Sequence, residues 1–461
     1  MTSPKVTVYI TNHNYGRFLR QAVESVLAQK FSSWELIIID DGSTDGSREI
    51  LREYEDRPNV RLVLQQNRGL IVSSNIALRL AHGEYIMRLD ADDYLDENAL
   101  VVLANVLDTH PGVGLVYPDY YHVSDEGEIL SLERRSKLGA EVTLYTSPAH
   151  GAGTMIRKSC LAELGGYSED TTCQDGYDLW LRLIERFGVY NVNLPLFYYR
   201  QHAGSLSTDR QRIVEARRQI DRRHAAQRTP AQLRTVGIIP VRGHAHGEPA
   251  HALRPLAGTA LIDYTIEAAL LSGAFDRLLV VSEEDAVLDH AASRPGVSAI
   301  RRPPELARPN TSIVPTVRFA LGHTGAAAAD AFMLLYVNTP LRTAAHIRNA
   351  MDVMQIFDAD SVISVYEDVS THYQHAGTGL RPLFPRRTLR LEKEALWVEN
   401  GAVYLARAGM LDDADYLGER IAHTVMLKHE SLQIDSEDDF CLAEYMINLR
   451  RQSKGVVVYD A

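Results

Sequence analysis

The first ninety residues alternate short apolar, β-branched runs with amphipathic segments, and two of the apolar runs end in carboxylates. KVTVYIT (5–11), WELIIID (34–40), VRLVLQ (60–65) and EYIMRLD (84–90) read as strands. Between them, GRFLRQAVESVLAQ (16–29) gathers Phe18, Leu19, Ala22, Val23, Val26 and Leu27 on one helical face. STDGSREILREYE (43–55) reads as a helix with Ser43 as its N-cap, and GLIVSSNIALRLAHG (69–83) as a helix closed by Gly83. Strand and helix in strict turn predict a largely parallel sheet with helices on both faces. Ligands of such sheets sit beyond the carboxyl ends of the strands. Asp40, Asp41 and the run Asp90 to Asp93 stand at those ends.

Length and charge narrow the possibilities. With 461 residues the chain has room for two or three domains. The net charge of −12 argues against a general nucleic-acid binder, which carries a basic footprint. Cys160, Cys173 and Cys441 are far apart and form no metal or disulfide framework, which fits a reducing compartment. The start, MTSPKVTVYITNHN, lacks the pattern of a signal peptide, and no run approaches the 18 apolar residues of a membrane span. These features predict a cytoplasmic protein, with peripheral attachment at the inner face of the membrane left open.

Residues 209–235 are Arg-rich, carry few large apolar side chains and contain Pro230, which reads as a solvated helical linker. A second α/β pattern follows. TVGIIPV (235–241), FDRLLVVS (275–282), FMLLYV (332–337), SVISVY (361–366) and GAVYLA (401–406) read as strands, and TALIDYTIEAALLSG (259–273) as a helix.

RLDADDYLD (88–96) sets Asp90 and Asp92 two apart after a strand. In extended backbone such residues face one side, so both carboxylates can reach one hard cation such as Mg²⁺ or Mn²⁺. A cation of that kind neutralises a departing diphosphate. The surrounding motifs are IIIDDGSTDGS (37–47), QNRGLIVSSNIAL (66–78), GEYIMRLDADDYL (83–95), LGGYSED (164–170), QDGYDLWLRL (174–183) and YYRQHAGSLS (198–207). In that order they resemble family-2 glycosyltransferases of the GT-A fold, over about residues 3–208. The resemblance implies that Asp40 and Asp41 contact the nucleotide base and ribose, that Asn67 and Arg68 line the nucleotide, and that Asp90 and Asp92 form the DxD motif. Asp92 is then the direct metal ligand, with His202 completing the metal or diphosphate site. Asp175 matches the catalytic base, although Gln174 replaces the more usual Glu. A bare structural alternative has Asp175 capping the helix that begins near Tyr177.

The second half resembles acylneuraminate cytidylyltransferases, the CMP-sialic acid synthetases. The motifs are TVGIIPVRGHAHGEPAHALRPLAGTALIDYTIEAAL (235–270), RRPPELA (301–307), NTPLRTAAHI (338–347), DADSVISV (358–365), NGAVYL (400–405) and QIDSEDDF (433–440). The candidate nucleotide site is Arg242, Gly247, Arg302, Arg342 and Asp435. The loop departs from the family's pattern: His244-Ala245-His246-Gly247 stands where GSKG is usual, His251-Ala252 replaces a Lys-Asn pair, and Gln433 replaces one metal-binding Asp. Histidine is mostly neutral near pH 7, so positive charge is weakened there. A metal site of His244, His246 and His251 is a further, weaker reading.

The expected architecture is therefore α/β, with two nucleotide-binding Rossmann-like domains. A GT-A domain (1–208), a helical linker (209–234) and a cytidylyltransferase-like domain (235–461) follow in order. The expected function is metal-dependent, inverting transfer from a nucleotide-diphosphate sugar to a hydroxyl of a glycan, lipid-linked or protein acceptor. Two alternatives stay open for the second half. One is synthesis of a CMP-activated nonulosonic acid from CTP. The other is an inactive binding or dimerisation module, with residues 366–395 as the segment of a homodimer.

Overall fold

The computed structural model describes the chain except residues 1–2, 136–148, 150, 172, 203–208, 229–232, 244–250, 309–310, 324–328, 376, 378, 384–395, 413–414 and 454–461. Two units divide it, Met1–Ile220 with Val369–Glu394, and Asp221–Asp368 with Ala395–Ala461. Among the described residues, no helix is long and apolar enough to cross a membrane.

The first unit opens with β1 (Val6–Asn12), α1 (Gly16–Leu27), β2 (Trp34–Asp41), α2 (Ser47–Arg52), β3 (Val60–Gln65), α3 (Leu70–Leu80) and β4 (Tyr85–Asp90). It continues through β5 (Tyr94–Leu95), α4 (Ala99–Thr109), β6 (Val113–Val123), β7 (Ile129–Glu133), β8 (Met155–Arg157), α5 (Lys158–Glu163), α6 (Asp175–Ile184), β9 (Gly188–Arg200) and α7, which begins at Arg210. The sheet order is β3-β2-β1-β4-β8-β6-β9-β5, with β7 on β6. The half containing β1 to β4 is parallel, as expected. Beyond it the sheet is mixed, because β8 runs antiparallel to both β4 and β6.

Burial explains the helices. On α1, Phe18, Leu19, Ala22, Val23 and Val26 are buried at helical spacing, and the last four join Val6, Val8 and Ile10 of β1 in one core. Two end assignments differ from expectation. The second helix begins at Ser47, not at Ser43. Ser43 accepts hydrogen bonds from Asn12 Nδ2 and the Asn14 amide, each at 3.0 Å, so it organises the strand ends instead. The third helix ends at Leu80, and Gly83 lies beyond it. There, any Cβ would come within 2.5 Å of the Thr7 amide nitrogen.

Helix α7 spans Arg210–Gln227. It is helical, as its composition suggests, but it is not solvated on every side. Ile220, Asp221, His224 and Ala225 are buried.

The second unit contains β10 (Thr235–Pro240), β11 (Pro255–Leu256), β12 (Thr259–Ala260), α8 (Leu261–Ser272), β13 (Arg277–Ser282), α9 (Asp285–Ala292), β14 (Val297–Arg301), α10 (Val314–His323), β15 (Ala331–Leu334), α11 (Ala344–Phe357) and β16 (Ser361–Asp368). A short hairpin of β17 (Tyr373–His375) and β18 (Leu380–Pro382) follows in the chain and clusters with the first unit. The second unit resumes with β19 (Leu396–Arg407), β20 (Ile421–Val425) and α12 (Glu437–Ser453). Its sheet order is β14-β13-β10-β15-β19-β16-β20. Its core is built on Val236, Ile238, Leu279, Val281, Phe332 and Leu334.

Candidate active site

Strand register brings the carboxylates together. Asn12 pairs with Asp40 across β1 and β2, and Thr11 pairs with Asp90 across β1 and β4. Asp40 and Asp90 thus flank the end of β1, about 10 Å apart at the usual strand spacing.

Asp40 is fully buried. Its carboxylate accepts from Asn12 Nδ2 at 3.0 Å, Arg48 Nε at 3.1 Å and the Ser43 amide at 3.2 Å. Burial pushes this carboxyl up, but the hydrogen bonds from Ser43, Arg48 and Asn12 outweigh it and hold the group below the usual range. Asp41 accepts from Gln65 Nε2 at 2.7 Å and from the amides of Arg68 and Gly69, each at 2.8 Å. In this structure Asp40 is held by the end of β1 and by Ser43 and Arg48 beyond β2, and Asp41 by the end of β3 and the loop that follows it. Asn67 and Arg68 are exposed beside them.

His13 was not singled out by its sequence. Its Nδ1 lies 2.8 Å from the Asp41 carbonyl oxygen. A carbonyl only accepts, so Nδ1 carries the proton and Nε2 is left to accept. Asn67 Nδ2 stands 3.2 Å from that Nε2.

Past β4 the chain turns, so Asp90 and Asp92 do not share one strand face as their spacing predicts. Asp90 pairs instead with Arg88, at 2.6 Å to Nε and 2.9 Å to Nη2. Asp92 Oδ2 lies 3.0 Å from His202 Nε2. The His202 ring is held between Tyr15 and Phe18, with centroids 5.6 and 5.2 Å away. Burial and the neighbouring Asp90 charge push the Asp92 carboxyl up, while His202 pulls it down. Asp93 is buried, and its Oδ1 accepts the Arg200 amide at 2.8 Å. Burial, with Asp92 and Asp90 beside it, pushes the Asp93 carboxyl well up.

Arg88 is the residue that joins the two halves of the site. Its side chain is 8% exposed, and Nη1 donates to Asp175 Oδ2 at 2.8 Å. Asp175 is the first residue of α6, inside the helix, and the N-cap position is taken by Gln174, whose side chain makes no capping hydrogen bond. Arg200, at the end of β9, donates to the Asp92 carbonyl at 2.8 Å and to Gln21 Oε1 at 2.6 Å. Neither arginine was marked by sequence reasoning; the signal present was Arg88 two residues before the first Asp of RLDADD. Trp180 is a core residue of α6.

In the second unit, Arg242 is exposed just after β10, whereas Arg302 and Arg342 are buried. Arg302 donates to Glu283 Oε2 at 3.0 Å and to the Val241 carbonyl at 2.9 Å. Arg342 donates to Thr265 Oγ1 and the Ala402 carbonyl, both at 2.6 Å, and to Thr339 Oγ1 at 2.8 Å. These two expected ligand contacts are therefore internal braces in this structure. Asp435 is exposed, with Asn338 Nδ2 at 3.4 Å. Gly247, His244 and His246 lie outside the described residues, and so does most of the segment proposed for dimerisation beyond residue 383.

Comparison with known proteins supports a glycosyltransferase assignment for the first unit. The model of the family described as Glycosyl transferase family 2 matches residues 7–165. The model described as MobA-like NTP transferase domain matches residues 243–403, so the second unit has a nucleotidyltransferase-like fold. That match is coarser than the cytidylyltransferase family its motifs resemble. The uncharacterized protein y4gI of Sinorhizobium fredii is 29% identical over 274 residues, 57% of this chain and 29% of that protein. Chondroitin synthase of Escherichia coli is 32% identical over 189 residues, 40% of this chain and 27% of that protein. The Bacillus subtilis protein EpsE, which carries the name of a glycosyltransferase, is 33% identical over 211 residues, 43% of this chain and 74% of that protein. This chain thus spans less than a third of the first two relatives' own length. Through its N-terminal unit, the chain belongs to glycosyl transferase family 2.

Proposed function

We propose that the first unit transfers a sugar from a nucleotide-diphosphate sugar to an acceptor hydroxyl, with inversion at the anomeric carbon. The observation that carries this reading is the Arg88 bridge, in which one guanidinium holds both Asp90 and Asp175. Asp175 would accept the proton of the attacking hydroxyl, and a base needs that kind of fixed orientation to act. Asp40 and Asp41 would act on the nucleotide through the loops they hold, and Asn67, Arg68 and His13 by direct contact.

The residues present suit a divalent cation. Asp92 and His202 offer neighbouring oxygen and nitrogen donors 3.0 Å apart. Among the described residues, no three His, Cys, Asp or Glu side chains gather as a cation site. Few protein ligands are usual where substrate phosphates and water complete the shell. Asp92 and His202 would hold Mn²⁺ or Mg²⁺, whose chemistry is to neutralise charge on the departing diphosphate.

The name of the chondroitin synthase relative supports a glycan-building setting; work at a surface glycan, in the cytoplasm or at the inner face of the membrane, is part of the same proposal. The deciding measurement is a donor screen on the full chain, with UDP-, GDP- and dTDP-sugars, with and without Mn²⁺, read by mass spectrometry. Metal-dependent transfer or hydrolysis of one donor class is expected. If Asp175→Asn and Asp92→Ala turn over that donor as the parent does, the site is misassigned.

For the second unit we favour a binding or assembly role over synthesis of a CMP-sugar, because Arg302 and Arg342 are committed to internal hydrogen bonds. Pyrophosphate release from CTP, Mg²⁺ and a nonulosonic acid by the full chain would reverse that preference.

A further inference from the structure

We infer that Arg217, on the helix that reads as a linker, is a positioning residue for the base-bearing turn of the first unit. The inference rests on the proposed role of Asp175. Gln174, just before it, has φ +62° and ψ +31°, the left-handed region that non-glycine residues adopt only when held there. Two contacts hold it. Its carbonyl accepts the amides of Tyr177 and Asp178 at 3.0 and 3.1 Å, which starts α6. Its side-chain Oε1 accepts Nε of Arg217 at 2.9 Å. The Arg217 guanidinium carbon also lies 5.2 Å from the centre of the Tyr177 ring. One side chain therefore grips the residue before Asp175 and the residue two after it.

The direction in which Asp175 leaves the backbone depends on this turn. Arg88 then fixes the carboxylate from the other side, at 2.8 Å. If Gln174 relaxes out of the left-handed region, the first turn of α6 rotates and that carboxylate shifts. A displacement of about 1 Å in a reacting group costs on the order of 100-fold in rate. The half-buried Arg217 thus carries a role that its Arg-rich surroundings conceal.

The experiment uses the full chain and two readouts, amide hydrogen exchange at Tyr177 and Asp178 and donor-sugar turnover. Arg217→Ala is expected to raise exchange at those amides selectively and to lower kcat by about 10- to 100-fold, with donor KM within about twofold. Arg217→Lys, the milder change, is expected to fall between. The double variant Arg217→Ala with Gln174→Gly is expected to recover much of both, because glycine adopts positive φ without help. Unchanged exchange in Arg217→Ala overturns the inference, as does raised exchange with unaltered kcat, or a double variant no better than the single one. A parent chain without turnover on any donor would sink the transferase reading instead, and the exchange measurements would still decide whether Arg217 holds the turn.

Discussion

Arg88 and Asp175 stand 87 positions apart in the chain, yet a guanidinium N–H of the one donates to the carboxylate of the other at 2.8 Å in a site where both are buried. The same guanidinium holds Asp90. The first carboxylate of the DxD motif and the proposed base therefore share one cation.

Removing that cation leaves two carboxylates facing each other in a buried site. Arg88→Met is expected to cost about 3–5 kcal/mol of stability, the usual penalty for stranding a buried ion-pair partner. Urea unfolding checks the stability. Activity should fall by at least about 100-fold, and Arg88→Lys should retain part of both because it keeps the charge. An Arg88→Met protein as stable and active as the parent would contradict the bridge.

The Asp92–His202 pair predicts a separable metal effect. In calorimetric titrations, Mn²⁺ should tighten nucleotide binding to the parent. Asp92→Asn and His202→Ala should lose about 10–100-fold of that enhancement, the range seen when metal-site shells are damaged. Binding without metal should persist. Equal enhancement in parent and variants would remove both residues from the metal site.

Gly42 makes a steric prediction. Its φ is +79°, and a Cβ would lie 2.6 Å from the backbone nitrogen of Asn67. Gly42→Ala should push the loop carrying Asn67 and Arg68 away from Asp41. The left-handed backbone alone costs alanine about 1–2 kcal/mol. A lower melting temperature with weaker nucleotide binding is expected, read by calorimetry and titration; unchanged values for both would mean the loop moves freely.

Asp352 on α11 gives a pH signature in the second unit. Burial, reinforced by Asp221 and opposed by Arg222 and Arg348, raises its carboxyl from 3.8 to about 6. The folded state therefore binds this proton more tightly than the unfolded chain does. Its contribution to stability is present below about pH 4 and is lost as pH rises through about 6. Asp352→Asn should melt above the parent at pH 7–8 and converge with it near pH 4. A variant that melts below the parent at pH 8 would show that the carboxylate has a compensating partner.

Much of the fold was legible in the residues. Runs such as WELIIID can bury both faces only between helices, and the buried face of α1 follows its 3.6-residue period. The carboxylates at strand ends were legible for the same reason, since strand and turn alternate in a fixed phase. Helix ends were less so, because Ser43 has the chemistry of a cap but finds better partners in Asn12 and Asn14 across the strand ends.

Local sequence settled where the chain is extended, where it coils and which end of the sheet collects acid, since those depend on neighbours a few positions away. The direction each acid faces was settled by folding. Asp40 turns to Asn12 at the end of β1, Asp41 to the loop after β3, Asp90 to Arg88, and Asp92 to His202. A buried charge must be paired, and its partner is whatever the packed chain brings alongside it, 110 positions away for Asp92 and His202 but only two for Asp90 and Arg88. The α7 helix shows the same division: its arginines read as solvated, and only packing against α6 gives Arg217 its partner in Gln174.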